Sequence, residues 1–283
     1  MHEQQATPLG TIIRGSRWPP APLRRGTSER WPTSVAKMPV RVVRWIARVL
    51  SALRGVRNLR RLYRAELKHC DAANASRGAD SAFGVERCDI RYINLDRRGD
   101  RKAEFELEMH KLGITWHKRI SAIPMTNGLL GCTLSHIMAL RQWEASGSKL
   151  LLVCEDDAQF VVNRPTLDAL IEEFATSPEL SVVALAYRTA WLVPISPILA
   201  MSSDIQTTAA YIVKPAHVAE LISIFEESVS RLNSPKPKRS AALDKVWKNL
   251  QRRRVFAIPH KPYAIQRPSY SDIIGAKASY SNG

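Results

Sequence analysis

The sequence predicts an α/β domain with a mainly parallel sheet, preceded by a disordered tail and a basic amphipathic helix. Three observations predict it. After Gly84, short apolar runs alternate with helical patterns, the order that lays helices over a parallel sheet. One of those runs, Leu150 to Cys154, is continuously apolar, as a strand covered on both faces must be. The charge is also lopsided: of 42 Lys and Arg and 26 Asp and Glu, 15 basic and only three acidic residues (Glu3, Glu29, Glu66) precede Cys70. The net charge of +16 therefore sits mostly on an N-terminal appendage. A nucleic-acid-binding domain would carry its basic residues on the fold itself, so nucleic acid is an unlikely partner.

The 283 residues suffice for one large domain or two small ones. No run of ~18 apolar residues exists to span a bilayer, and the first apolar-rich segment is too studded with arginine for a signal peptide. Residues 1–37 contain five prolines without apolar periodicity and read as a disordered tail or, given Met38, as leader upstream of the natural start. Residues 38–69 read as one helix: Val42, Ile46, Val49, Leu53, Val56, Leu59, Tyr63 and Leu67 recur at helical steps, with arginines between them. Residues 38–68 could lie on an anionic membrane surface, pack on the following domain with the basic face solvated, or bind RNA. The first is expected, because two aromatics offer little stacking surface for RNA.

Residues 70–87 read as a linker and 88–283 as the domain. Strands are expected near Ile90–Leu95, Ile114–Ile120, Leu150–Cys154, Val182–Ala186 and Ala209–Val213. Helices are expected over Asp100–Leu112, stopped by Gly113, over Thr133–Ala145 after a turn at Gly131, and from Pro215 onward. Tyr187–Pro197 reads as a loop or lid. Cys132 and Cys154 sit among apolar neighbours and read as small core residues in a reducing, cytoplasmic compartment.

The sharpest chemical feature is the apolar strand ending in Glu155-Asp156-Asp157. Ligands of open α/β sheets bind beyond the carboxyl ends of strands, and adjacent carboxylates repel unless a cation joins them. Glu155 and Asp157, two apart on an extended segment, are expected to point the same way and share a hard ion, Mn²⁺ or Mg²⁺.

Tyr92-Ile93-Asn94-Leu95-Asp96-Arg97-Arg98-Gly99-Asp100-Arg101, Gly131-Cys132-Thr133-Leu134-Ser135-His136 and the acidic triplet closely resemble glycosyltransferase family 25. So do Ala210-Tyr211-Ile212-Val213, Asp244 before Lys245-Val246-Trp247, Pro262-Tyr263-Ala264-Ile265-Gln266 and Ser271-Asp272-Ile273. The family includes lipooligosaccharide and lipopolysaccharide galactosyltransferases, and the matches run in its order over about residues 88 to 275. The resemblance implies a GT-A-like, Rossmann-like nucleotide-sugar domain, a UDP-sugar donor, a divalent cation and inversion at the transferred sugar. It places Asn94, Asp96, Arg97, Arg101, Ser135, Glu155, Asp156 and Gln266 at the donor, with Asp157 and Glu155 at the metal. Asp96 could accept from uracil or ribose, Arg97 and Arg101 could meet phosphate, and a helix start at Thr133–Ser135 could hold phosphate. His136 is either a core histidine or a site residue, and Asp244 either an exposed helix acid or the base that deprotonates the acceptor. The expected acceptor is a lipopolysaccharide, lipooligosaccharide or related glycolipid or oligosaccharide on the inner face of the cell membrane. The competing reading is a degenerate transferase fold tethered by its basic arm to membrane or RNA.

Overall fold

The computed structural model describes residues 40–71, 83–145, 149–235, 238–271 and 276–278. The expected tail at 1–37, most of the linker and Gly147 lie outside them.

The chain enters through helix α1 (Val40–Asp71). Next come β1 (Cys88–Asn94), α2 (Gly99–Lys111), β2 (His117–Ser121), α3 (Gly128–Glu144), β3 (Leu150–Glu155) and β4 (Ala158–Phe160). Helix α4 (Arg164–Thr176) and strands β5 (Leu180–Ala184), β6 (Val193–Pro194), β7 (Leu199–Met201) and β8 (Ala210–Val213) follow. Helices α5 (Val218–Leu232) and α6 (Leu243–Val246) come next, then β9 (Val255–Pro259), β10 (Ala264–Gln266) and the antiparallel pair β11 (Ser269–Ser271) and β12 (Ala276–Ala278).

The central sheet runs β2-β1-β3-β8-β5-β9-β7-β6. The pairings β1–β2, β1–β3 and β5–β9 are parallel, whereas β8 runs against both β3 and β5. Strand β7 is antiparallel to β9 and β6 to β7. Six of the eight strands thus share one direction, and the mainly parallel α/β sheet expected from the sequence is present.

Two apolar layers cover the sheet, and the two-residue period of each strand assigns its side chains between them. On one side Leu152 and Cys154 of β3 join Phe105 and Met109 of α2 and Leu167, Leu170 and Phe174 of α4. On the other, Leu151 and Val153 join Ile137, Leu140 and Trp143 of α3, Phe225 of α5 and Trp247. Every strand residue from Leu150 to Cys154 is buried, which is why that run reads as unbroken apolar sequence.

Several elements differ from expectation. Helix α3 starts a full turn before Thr133, because the side chain of Asn127 accepts from Leu130 N and caps it there. Gly131 is inside that helix rather than in a turn before it. Helix α4, signalled by the Asn163 cap and Pro165 in the first turn, lies in a stretch read without elements. Tyr187–Pro197 is not a lid: Trp191 is buried in the core and Val193–Pro194 pair with β7 at the sheet edge. Part of the expected linker already belongs to the domain, since Val85 N donates to Asp168 Oδ1 at 2.8 Å.

Helix α1 uses its apolar stripe on this domain. Leu59 is 2% exposed within the core, with Ala52, Val56, Leu62 and Tyr63 packed around it. The Tyr63 hydroxyl donates to Glu179 at 3.2 Å, and Arg254 donates to Glu66 at 3.0 Å. Gly55 lies under Trp191, whose ring leaves no room for a Cβ. In this arrangement Ala52, Val56, Leu59, Leu62 and Tyr63 are packed on the domain, while Leu50 and Leu53 and Arg54, Arg57, Arg60, Arg61 and Arg64 are exposed. Among the described residues no helix is long and apolar enough to cross a membrane. Leu59→Ala should lower the unfolding free energy by about 2–4 kcal/mol. Unchanged denaturant midpoints would show that the helix is not docked.

Candidate active site

The acidic triplet closes β3 at the carboxyl end of the sheet and lines a cleft of about 160 Å³ with Arg97, Arg101, Cys132, Ser135, His136 and Gln266. Strand alternation decides what each acid meets. Glu155 follows Leu151 and Val153 onto the α3 side, where its Oε1 lies 3.5 Å from His136 Nε2. The Thr208 hydroxyl donates to the same oxygen at 3.1 Å. Burial works to raise the Glu155 carboxyl, but His136, Thr208 and the charge of Arg101 outweigh it and hold it below its ordinary value.

Asp156 turns to the α2 side and is fully engaged. It accepts from Asn94 Nδ2 at 2.8 Å and from Arg101 Nη1 at 2.7 Å. Burial nevertheless leaves its carboxyl above the ordinary range. Asn94 also donates to the Arg98 carbonyl and accepts from Arg119 Nε. It ties β1, β2 and the acidic turn together, and its role is to position Asp156.

Asp157 is different. It is 5% exposed, its Oδ1 has no hydrogen-bond partner, and Arg101 stands 3.7 Å from Oδ2. Burial, then the neighbouring charge of Glu155, push its carboxyl up to about 8, only partly offset by Arg101 and the amide of Gln266. A buried carboxylate with an unmet oxygen beside two other acids calls for a proton or a cation. The oxygen donor set fits Mn²⁺ or Mg²⁺, with Asp157 as the residue that would hold it.

The helical motif before His136 is a clamp. Ile123 O approaches Gly131 to a distance that excludes a Cβ, and Ile123 N donates to Ser135 Oγ at 2.8 Å while Ser135 Oγ donates to Gly131 O. Ser135 therefore fixes the Ala122–Met125 wall of the cleft and is not at a helix start offering free amides. His136 is completely buried, stacked on Tyr211 and edge-on to Phe225.

Gln266 reaches the cleft from β10, whose pairing with β4 sets Gln266 opposite Ala158. It accepts from the Thr207 hydroxyl at 3.0 Å. Thr207 has φ 72°, a costly conformation for a β-branched residue. The strain is confined to the turn whose Thr207 and Thr208 hydroxyls address Gln266 and Glu155. Sequence reading missed both threonines, since nothing local marks them; only the tertiary fold brings their segment to β3.

Two expected site residues are elsewhere. Asp96 is exposed, accepting from Ser121 Oγ at 2.6 Å and Arg119 at 2.5 Å; these bonds hold its carboxyl below the ordinary value. It braces β1 against β2 outside the cleft. Asp244 opens the short helix α6 beside Lys245, 3.5 Å away, and does not line the cleft, although its charge helps raise the Cys132 thiol. Cys132 itself, read as a core residue, is partly exposed on the cleft wall, whereas Cys154 is core as expected.

Residues 100–235 match the family model of glycosyltransferase family 25, described as an LPS biosynthesis protein. This region belongs to glycosyltransferase family 25. It spans α2, the Ser135-His136 motif, the acidic turn and the Thr207–Thr208 segment, and the family's GT-A-like architecture agrees with the mainly parallel sheet. No curated protein matches the sequence. Three solved structures share a weak likeness. A glycosyltransferase involved in glycosylation of the major capsid of PBCV-1 is 14% identical, covering 52% of this chain and 67% of that one at TM-score 0.35. A mannosyltransferase from Pyrobaculum calidifontis, in complex with GDP-Man and Mn²⁺, is 11% identical over 81% and 69% at TM-score 0.38. A UDP-glucose pyrophosphorylase complexed with UDP-glucose is 11% identical over 61% and 72% at TM-score 0.37. The match over this region supports a glycosyltransferase.

The raised Asp157 carboxyl makes a signed prediction. Without a cation, the folded chain keeps that proton up to about pH 8, whereas the unfolded chain releases it near 3.8. The folded state then holds more protons across that window, so stability falls as pH rises through it. Glu155, held below its ordinary value, acts in the opposite sense only at acid pH. Melting temperatures of chelator-treated protein should decline across the window, and Asp157→Asn should flatten the decline. An identical slope in the variant would disprove the assignment.

Proposed function

We propose that the protein transfers a hexose, galactose rather than glucose, from a UDP-sugar to a hydroxyl of a lipopolysaccharide, lipooligosaccharide or related glycan. The observation that carries this reading is the buried, unpartnered Asp157 oxygen in a cleft that also holds Arg97 and Arg101. Asp157 would hold a cation there, which would supply positive charge to the departing diphosphate. Arg97 and Arg101 add guanidinium charge on the same side, which suits a leaving group whose negative charge grows.

The acids lining the cleft are Glu155, Asp156 and Asp157. Asp156 is engaged and Asp157 is assigned to the cation, so Glu155, kept ionised by its neighbours, is the proton acceptor. In the transfer the acceptor oxygen bonds to the anomeric carbon, the bond to the UDP oxygen breaks with its electron pair, and the acceptor proton passes to Glu155. Asp244, the other candidate base, does not line the cleft.

The exposed arginines of α1 support a place at the cytoplasmic face of the membrane, where anionic lipid meets guanidinium charge. The helix would touch lipid through that face while its apolar stripe stays on the domain.

The test is hydrolysis and transfer with UDP-galactose and UDP-glucose in the presence of Mn²⁺. Metal-dependent turnover should fall by about a hundredfold or more in Asp157→Asn. A folded wild type that binds neither sugar would refute the reading and favour a degenerate transferase fold.

A further inference from the structure

One wall of the cleft offers a donor set unlike the oxygen ligands around Asp157. Cys132 and His136 lie one turn apart on α3, so their side chains leave the same helix face. Glu155 ends the strand beneath that face. One ligand atom from each of the three residues lies within 4.8 Å of the others. The separation of 3.5 Å between His136 Nε2 and Glu155 Oε1 is close to the edge of about 3.4 Å that zinc bond lengths give a tetrahedron.

His136 supplies the independent sign of a ligand. Its side chain is completely buried, yet Nε2 makes no hydrogen bond of normal geometry and faces Glu155 Oε1 of this cluster at 3.5 Å. The other ring nitrogen, Nδ1, lies 3.2 Å from the Tyr211 hydroxyl. With a cation bound, Nδ1–H would donate to that oxygen and Nε2 would turn its lone pair to the metal, the arrangement in which metal-binding histidines are usually held.

We propose that Cys132, His136 and Glu155 form a site for a thiolate-seeking divalent cation of the zinc and cobalt class, its fourth position open to the cleft. A thiolate, an imidazole and a carboxylate suit Zn²⁺ or Co²⁺, whereas Mg²⁺ and Mn²⁺ favour oxygen. The two positions are thereby separated by ligand chemistry even though they share one cleft. A cation on Glu155 also takes the carboxylate assigned above as proton acceptor, so zinc inhibits transfer. That consequence, though not the site, rests on the proposed function.

The experiment titrates the full chain, reduced and stripped of metal, with Co²⁺. The expected result is one Co²⁺ per chain, with a thiolate-to-cobalt charge-transfer band and tetrahedral d–d bands. Zn²⁺ should abolish the spectrum and excess Mg²⁺ should not. The band should persist in Asp157→Asn and Cys70→Ser and vanish in Cys132→Ser, and His136→Gln should weaken binding by about tenfold or more. If Cys132→Ser fails to fold by circular dichroism, the wild-type spectrum and its competition by Zn²⁺ decide alone. A folded wild type without the band, or a band that survives in folded Cys132→Ser, overturns the proposal irrespective of donor binding.

Discussion

Three consecutive carboxylates at the end of a fully buried strand repel one another in surroundings where water screens little, and the rest of the site follows from how that repulsion is met. Strand periodicity separates the first two, sending Glu155 toward α3 and Asp156 toward α2. Each then finds compensation from a different layer: Thr208 and His136 for the one, Asn94 and Arg101 for the other. Asp157, beyond the strand in the turn, inherits what is left. Its partnerless oxygen is the residue of an electrostatic problem that the protein solves twice and leaves open once.

The same constraint explains why strained and small residues collect around the turn. A left-handed Thr207 places two successive hydroxyls against Gln266 and Glu155. Gly131 admits the Ile123 carbonyl, and Ser135 secures the adjoining amide. These residues hold the walls of the cleft. Rigid walls matter because a site that stabilises developing charge works through dipoles already in place.

Much of the fold was legible because burial on both faces of β3 leaves an unmistakable apolar run, and because α2 and α5 show helical spacing. What was not legible involves distant partners. Asp96 and Asp156 are both acids beside a strand end; only the pairing of β1 with β2 and β3 gives one to Arg119 and the other to Arg101. The Asn127 cap starts α3 five residues ahead of Thr133, and that places Ser135 inside the helix as a clamp on Ile123 N. Asp244 matched a motif, but the short helix that carries it stops outside the cleft. Helix α4 carries a readable start in the sequence, an Asn163 cap with Pro165 in the first turn.

Helix α1 shows a deeper limit of pattern reading. An apolar stripe beside an arginine face specifies that something apolar covers the stripe, yet a bilayer and a protein core satisfy that demand equally. Particular atoms decide between them. Leu59 enters the core, Gly55 makes way for Trp191, and Glu66 reaches Arg254, interactions that only a matched surface can provide. With most of the stripe on the domain, any membrane attraction through this helix would come chiefly from the arginines, with Leu50 and Leu53 as the exposed apolar side chains. Such attraction is electrostatic and falls with salt over a Debye length of about 8–10 Å, whereas apolar insertion would persist. The docked helix thus holds its basic face fixed relative to the cleft, through Leu59 in the core and Glu66 on Arg254.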